Sequence, residues 1–323
     1  MENQQIREKY ICITEKLKTA LFANKQCIAA YLLGSASHDM LWEWSDLQIA
    51  VVLEDGYRGK AYYSLYEEDV CIALNIYTLT ALKEFVGGFR ADNYIWKAFS
   101  KCTKLFSKDL MLDEWMEEAF YVGEADCQKE MLLGFSGAVY YLNKAEKNFY
   151  ITGNIENTLY FIPQIADNIA WIEIFKHREI PERELITQGK RLNPTVFEKI
   201  YDPLFSLKPN KGTDSALENA ASKTECTVKT HPGEIEKKVK NILEHCISYL
   251  KENTSHVYQP VLKYLVKYGN LEGFRYETRP HGFGINYEWL VRCGLACRYR
   301  IPEKIPFLKQ AEKLGYKSAI YPK

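Results

Sequence analysis

The sequence predicts an α+β protein in three parts: a mixed sheet with helices, then a helical bundle, then a small basic domain. Three observations carry this prediction. Short apolar runs typical of strands fall almost entirely in the first third of the chain. Apolar residues at helical three- and four-residue steps fill the middle. Residues 256–323 carry 12 Lys and Arg but 5 Asp and Glu, so positive charge gathers at the end.

The first part, residues 1–112, is predicted to begin with a helix and to continue with short strands. Over 3–24, apolar residues recur at three- and four-residue steps, which places them on one face of a helix. A capped helix start is predicted at 78–85. The strands are predicted at 27–34, 47–53, 70–77 and 102–106.

The second part, residues 113–255, is predicted to be a helical bundle. Long amphipathic stretches fill 114–205, with Pro163 predicted to kink or break one of them. Residues 206–233 are polar and rich in Gly, Pro, Ser and Thr, which predicts a long loop. A further helix is predicted at 234–250, where the apolar residues again share one face.

The third part, residues 256–323, has short helical patterns and a strand-like run at 296–301. This order resembles a winged-helix domain, in which a recognition helix leads into wing strands. The resemblance implies that basic residues at the junction contact DNA phosphates. These residues are Arg292, Arg298, Arg300 and Lys304. A solvated basic surface and a domain that contacts another protein are the alternatives.

The composition indicates a cytoplasmic protein. The 323 residues are 47% apolar, enough for a packed core, and the formal net charge is zero. The nine cysteines, an odd number and widely scattered, are typical of reduced thiols. No signal peptide is recognised at the N-terminus, and no window reaches the roughly 18 apolar residues that span a membrane. We therefore expect no membrane partner.

One segment combines a phosphate-binding pattern with a metal-binding pattern. Gly34 and Ser35 end the first apolar run, and Ser45 and Asp46 precede the second. Glycine lets the backbone approach a ligand closely, and hydroxyl and amide groups donate to phosphate oxygens. Side chains two residues apart in a strand point the same way, so an Asp-x-Asp pair offers two adjacent carboxylates to Mg²⁺. In this sequence Gln48 stands at the second of these positions.

The Gly-Ser pair, the polar loop and the Ser-Asp pair resemble the motif of the nucleotidyltransferase superfamily, which includes the kanamycin, lincosamide and minimal nucleotidyltransferases. The resemblance covers residues 28–109, and the helical part that follows is similar in architecture to the antibiotic nucleotidyltransferases. It implies that the phosphates of an NTP bind to Gly34, Ser35 and Ser45. It also implies that Asp46 is a ligand of Mg²⁺ or Mn²⁺.

The departures from this family concern mainly its carboxylates. Gln48 replaces the second one, and the two positions available for the third, Ala73 and Asn75, carry no acid. The loop has His38-Asp39 where the family usually has Arg-Gly. A single aspartate would have to compensate much of the charge of two Mg²⁺ ions, and a glutamine ligates a cation without charge.

Two other acids are candidates to replace the missing carboxylates. Asp69 directly precedes the strand at 70–77. Glu173 lies in the helical part, which supplies a base in some enzymes of this kind. The alternatives are a solvated loop charge for Asp69 and a glutamate on the bundle surface for Glu173.

We expect a nucleotidyltransferase-like pseudoenzyme, with nucleotidyl transfer lost or strongly weakened, nucleotide binding retained, and Asp46 and Gln48 at the catalytic position. One alternative is an active, metal-dependent nucleotidyltransferase that moves an NMP from an NTP to a small molecule or a macromolecule. Another is a regulator that binds nucleic acid or a protein through residues 256–323.

Overall fold

The computed structural model describes residues 2–38, 40–87, 94–206, 232–268, 288–302 and 316–322. The chain divides into two compact units. The first comprises Met1–Gly123 with Ile180–Glu182, and the second comprises Glu124–Glu179 with Arg183–Lys323. The first contains a five-stranded mixed sheet and the second is mainly helical, which confirms the predicted α+β class.

The first unit is a mixed sheet with helices. Its strands are β1 (Cys27–Leu33), β2 (Leu47–Leu53), β3 (Tyr62–Glu67), β4 (Val70–Thr78) and β5 (Thr103–Ser107). Its helices are α1 (Glu2–Ala23), α2 (Leu79–Val86), α3 (Tyr94–Ser100) and α4 (Leu110–Ala119), with a 3₁₀ turn at Gly34–His38. The strand order is β3-β4-β2-β1-β5, in which β2 and β4 are parallel and the other neighbours are antiparallel.

Helix α1 packs on one face of this sheet because its apolar stripe meets alternate residues of the strands. Tyr10 and Ile13 of α1 belong to one buried cluster with Leu47, Ile49 and Val51 of β2. The predicted helix with one apolar face is therefore present in the structure, and residues of that face pack on β2.

The other face of the sheet is packed against α3. The ring of Phe99 contacts Tyr31 of β1 and Tyr77 of β4, with centroids 5.9 and 5.6 Å apart. Gln48 faces this side, since it alternates along β2 with the residues that pack on α1. The candidate motif residues of β2 thus lie on the α3 face.

The second unit is built mainly of helices. These are α5 (Glu124–Lys147), α6 (Ile155–Lys176), α7 (Leu185–Leu192), α8 (Pro194–Ile200), α9 (Pro232–Val257), α10 (Gln259–Tyr268) and α11 (Glu288–Arg292). Two antiparallel strands follow, β6 (Ala296–Pro302) and β7 (Tyr316–Pro322). Helix α6 continues past Pro163, so the predicted alternative of a break there is wrong. Within the described ranges, no helix is long and apolar enough to cross a membrane.

Helices α5 and α6 approach each other closely at a glycine. A Cβ atom at Gly137 of α5 would lie 2.1 Å from Oδ1 of the Asn168 side chain of α6. Any larger residue at this position would therefore have to displace the asparagine side chain.

Helix α11, within the predicted C-terminal segment 256–323, packs on other helices of the second unit. Nε1 of Trp289 donates to Oγ1 of Thr254 at 2.8 Å, and the indole contacts the ring of Phe135 with centroids 6.0 Å apart. Much of 256–323, and most of the predicted loop at 206–233, lies outside the described residues. The winged-helix domain and the three-part division of the chain stay predictions.

Candidate functional site

A cavity of about 330 Å³ lies in the first unit, on the α3 face of the sheet and near the start of β2. Strand β2 contributes Gln48, and Asp46 lies one residue before the strand begins. The polar lining residues are Asp46, Gln48, Tyr62, Asn75 and Tyr77. Sites for small molecules measure about 300 to 1,000 Å³, so this cavity has room for one small ligand.

The remaining lining is apolar and comes from the strands and α3. These residues are Leu33, Ala73, Ile95, Ala98 and Phe99. Ala73 of β4 is the direct neighbour of Gln48 across the parallel β2–β4 pair. Because the alanine side chain is a single methyl group, it leaves space beside Gln48.

Asp46 and Gln48 are joined by a hydrogen bond. Nε2 of Gln48 donates to Oδ2 of Asp46 at 2.8 Å, and both side chains are half-buried. The two residues share a face because they are two positions apart in an extended segment. An amide group therefore lies against the carboxylate, at the position where the family that the sequence resembles has a second carboxylate.

Gly34 begins the 3₁₀ turn and adopts a left-handed conformation, with φ of +68°. A Cβ atom there would lie 3.3 Å from Oε1 of Gln48, so a larger residue would press on the glutamine. The turn is held by two bonds, from Oγ of Ser37 to the carbonyl of Gly34 at 2.8 Å and from the amide of Met40 to the carbonyl of Ser35 at 3.0 Å. The Gly-Ser turn thus adjoins the cavity through Gln48, although neither Gly34 nor Ser35 is part of the lining.

Ser45 is buried and its polar atoms are bonded within the first unit. Its Oγ accepts a hydrogen bond from the amide of Trp42 at 3.2 Å, and its carbonyl accepts one from the hydroxyl of Tyr10. Burial and the negative charge of Asp46 raise the pKa of Tyr10. Ser45 therefore fixes the approach to β2 and links it to α1, and it is not part of the cavity lining.

Neither of the two other candidate acids is among the described residues of the cavity lining. Asp69 occupies the tight turn between β3 and β4, with φ of +66°. Glu173 of α6 is 1% exposed, and its Oε1 accepts bonds from the hydroxyl of Tyr249 at 2.7 Å and from Nζ of Lys176 at 3.3 Å. Glu173 is thus buried within the second unit, and its expected place on the bundle surface is wrong.

The cavity does not provide the ligands that a pair of divalent cations needs. Among the residues described there, Asp46 is the only carboxylate of the lining, and Ala73 and Asn75 of β4 add no charge. Hard cations such as Mg²⁺ bind through carboxylates and oxygen ligands, and two-metal transfer needs several acids. Across the described part of the chain, no group of three or more His, Cys, Asp or Glu side chains is arranged to hold a metal ion. The residues present do not fit two Mg²⁺ or Mn²⁺ ions.

The basic residues expected to contact DNA occupy different settings. Nη1 and Nη2 of Arg292 donate to the two carboxylate oxygens of Glu146 of α5, each at 2.7 Å, and these bonds raise the pKa of Arg292. Arg298 and Arg300 belong to β6, and Lys304 lies outside the described residues. Binding of nucleic acid or of a protein partner by this segment stays a prediction, and for Arg292 it requires release of Glu146.

Six of the described cavity residues were not identified from the sequence, among them Tyr62, Tyr77 and Phe99. Tyr77 continues the alternation of Ala73 and Asn75 along β4, and this signal places it on the same face. Tyr62 lies in β3, whose six residues are all exposed, so its pattern lacks the alternation of a half-buried strand. Phe99 reaches the cavity from a helix, which strand periodicity does not reveal.

Comparison with protein-family models gives no match, and comparison with curated proteins gives none either. Among solved structures, the chain is similar to the crystal structure of a nucleotidyltransferase-like protein from Exiguobacterium sibiricum 255-15. The TM-score is 0.53 at 12% sequence identity, and the match covers 96% of this chain and 98% of that chain. The likeness shows that this chain has a nucleotidyltransferase-like fold.

Proposed function

We propose that this chain is a nucleotidyltransferase-like protein that binds a nucleotide at the cavity beside β2 and has lost, or retains only weakly, nucleotidyl transfer. One observation carries the proposal: the amide of Gln48 donates to Asp46 at 2.8 Å where a transferase of this fold needs a second acid. The cavity and the adjoining Gly34-Ser35 turn are present, while Asp46 is the only carboxylate among the described lining residues.

The chemical reason lies in the charge of the transition state. Two-metal transfer stabilises the attacking and leaving oxygens with cations that several carboxylates hold in place. Each missing ligand raises the barrier, and about 1.4 kcal/mol of lost stabilisation already lowers the rate tenfold. With Asp46 as the carboxylate of the cavity and Gln48 as a neutral neighbour, we expect orders of magnitude lower activity than a complete site gives.

The proposed roles separate phosphate binding from metal binding. The turn at Gly34 and Ser35 offers backbone amides to phosphate. Ser45 holds the approach to β2 through its bonds to Trp42 and Tyr10. Asp46 is the proposed ligand of a single Mg²⁺ or Mn²⁺ ion, and Gln48 its neutral partner.

The first experiment measures thermal unfolding of the full chain with ATP, GTP, CTP or UTP, each with and without MgCl₂ or MnCl₂. We expect at least one nucleotide to raise the melting temperature, because a ligand that binds only the folded state stabilises it by mass action. The Asp46→Ala variant should lose this shift. Absence of any shift at millimolar nucleotide would refute nucleotide binding.

A second experiment tests the loss of transfer. The double variant Gln48→Asp with Ala73→Asp restores acids at both positions and is assayed for release of pyrophosphate beside the unchanged protein. We expect pyrophosphate release to be absent or very slow for the unchanged protein and to rise in the double variant. Rapid turnover by the unchanged protein, at the rate of an ordinary enzyme of about 1 per second or more, would contradict the proposal.

A further inference from the structure

The cavity beside β2 contains hydrogen-bonding groups that the described protein does not use. The side-chain amide of Asn75 makes no hydrogen bond to another described residue. The carboxylate of Asp46 accepts only the bond from Gln48 among the described residues. An amide offers one donor group and one acceptor side by side, and a carboxylate offers acceptors. A ligand that matches them carries adjacent donors and acceptors on a planar edge, as a nucleobase does.

The charge of the lining argues against polyphosphate as the group that occupies it. Asp46 gives the lining one negative charge, and none of the described lining residues is Lys, Arg or His. A triphosphate placed there meets a carboxylate without a compensating cation, and like charges a few ångströms apart repel strongly where water is partly excluded. Among the described lining residues, Asp46 is also the only carboxylate for the two cations that would screen this repulsion.

The lining also contains side chains that a base can contact. Phe99 and Ile95 contribute apolar side chains, and Tyr77 contributes an aromatic ring. Tyr62 also lines the cavity and is 52% exposed, so its ring keeps a free surface on which a base can stack.

We propose that the cavity binds the uncharged nucleoside part of its ligand, with the edge of the base on Asn75 and Asp46, and that phosphate groups contribute little to affinity. This inference rests on the proposed function, because it concerns the nucleotide assigned to the same cavity. It assigns most of the affinity to the base, so the proposed phosphate contacts of the Gly34-Ser35 turn and a metal ion on Asp46 would add little to it.

The test compares nucleosides with triphosphates. Binding of adenosine, guanosine, cytidine and uridine to the full chain is measured by titration calorimetry, and then binding of the four triphosphates, each with MgCl₂ and with EDTA. We expect at least one nucleoside to bind with a Kd within about threefold of its triphosphate, and EDTA to leave both values unchanged.

Two variants locate the contact. Asn75→Ala should weaken nucleoside and triphosphate binding alike by about tenfold or more, as expected for loss of a bidentate contact to a base. Asn157→Ala, which removes an exposed asparagine of α6, is the matched control and should leave both Kd values unchanged. Tyr62→Ala, on an exposed edge strand that tolerates substitution, should weaken binding about fivefold or more through lost stacking.

The outcomes separate the two proposals. Triphosphates that bind only with MgCl₂, together with nucleosides that give no signal at millimolar concentration, overturn this inference and leave nucleotide binding intact. Unchanged affinity in both Asn75→Ala and Tyr62→Ala also overturns it. If neither nucleosides nor triphosphates bind, the proposed function fails and this inference fails with it.

Discussion

Asp46 and Glu173 are two carboxylates withdrawn from water in different ways. Asp46 is half-buried at the edge of a cavity and receives one bond, from the amide of Gln48. Glu173 is 1% exposed and receives bonds from Tyr249 of α9 and from Lys176 of its own helix. A carboxylate whose acceptors are filled by neighbouring elements joins those elements. A carboxylate with acceptors left over, beside empty space, is available to a ligand.

The largest expected effect tests this contrast through stability. Glu173→Ala leaves the buried hydroxyl of Tyr249 without its acceptor and creates a cavity, so the free energy of unfolding should fall by about 2–4 kcal/mol. Asp46→Ala should change it by no more than about 0.5 kcal/mol, because the site is partly open. Urea unfolding followed by circular dichroism measures both. If the free energy of unfolding fell by similar amounts in the two variants, Glu173 would not differ from Asp46 in its structural role.

A smaller effect concerns the tyrosine of the buried pair. Burial, the charge of Glu173 and their hydrogen bond raise the pKa of Tyr249 well above 10.0. The unfolded chain releases this proton near pH 10 and the folded chain does not, so the stabilisation is present below pH 10 and is lost as the pH rises further. Tyr249→Phe should cost about 1–3 kcal/mol at neutral pH.

The difference between the Tyr249→Phe variant and the unchanged protein should then shrink above about pH 10. Urea midpoints at pH 7, 9, 10 and 11 measure it. Tyr140→Phe, an exposed tyrosine of α5, is the control and should show no such convergence. A Tyr249→Phe difference that stays constant to pH 11 would contradict the assigned role.

The smallest expected effect belongs to a third kind of carboxylate, one that caps a helix on the surface. Asp55 accepts bonds from the backbone amide of Thr80 at 2.8 Å and from its hydroxyl at 2.9 Å. These bonds lower the pKa of Asp55, so its stabilising contribution is present above pH 4 and is lost as the pH falls through the folded value. Asp55→Asn should therefore be slightly less stable than the unchanged protein at pH 7 and equal to it near pH 2.

Thermal unfolding at pH 7, 4, 3 and 2 measures the effect of Asp55→Asn. Glu54→Gln, at the neighbouring exposed acid, serves as the control, since both Thr80 bonds go to Asp55. If the stability difference between Asp55→Asn and the unchanged protein grew towards low pH, the predicted pH dependence would be wrong.

Much of the first unit follows from local sequence patterns. The runs that form β1, β2 and β4 are apolar because the sheet is covered on both faces there, by α1 and by α3. Strand β3 was not predicted because all six of its residues are exposed. Apolar and polar residues alternate along a strand only when one of its faces is buried. Pro163 does not break α6, because a helix held by a long neighbour tolerates the loss of one backbone bond.

The candidate site was predictable in its positions and not in its contacts. The parallel pairing of β2 with β4 brings Gln48 beside Ala73, as a strand pattern implies. The bond from Gln48 to Asp46 depends on the rotation of the glutamine side chain, which no spacing specifies. The wall supplied by Phe99 depends on how α3 crosses the sheet, and that is a property of packing between distant parts of the chain.

The left-handed glycine of the motif has a consequence for how such motifs persist. Gly34 has φ of +68°, and a Cβ atom there would lie 3.3 Å from Oε1 of Gln48, a tight contact, whether or not a phosphate ever binds. Any other residue would strain the turn and displace Gln48. Selection for folding alone is then sufficient to retain glycine here, so the Gly-Ser signature can outlast the chemistry that it is usually taken to mark.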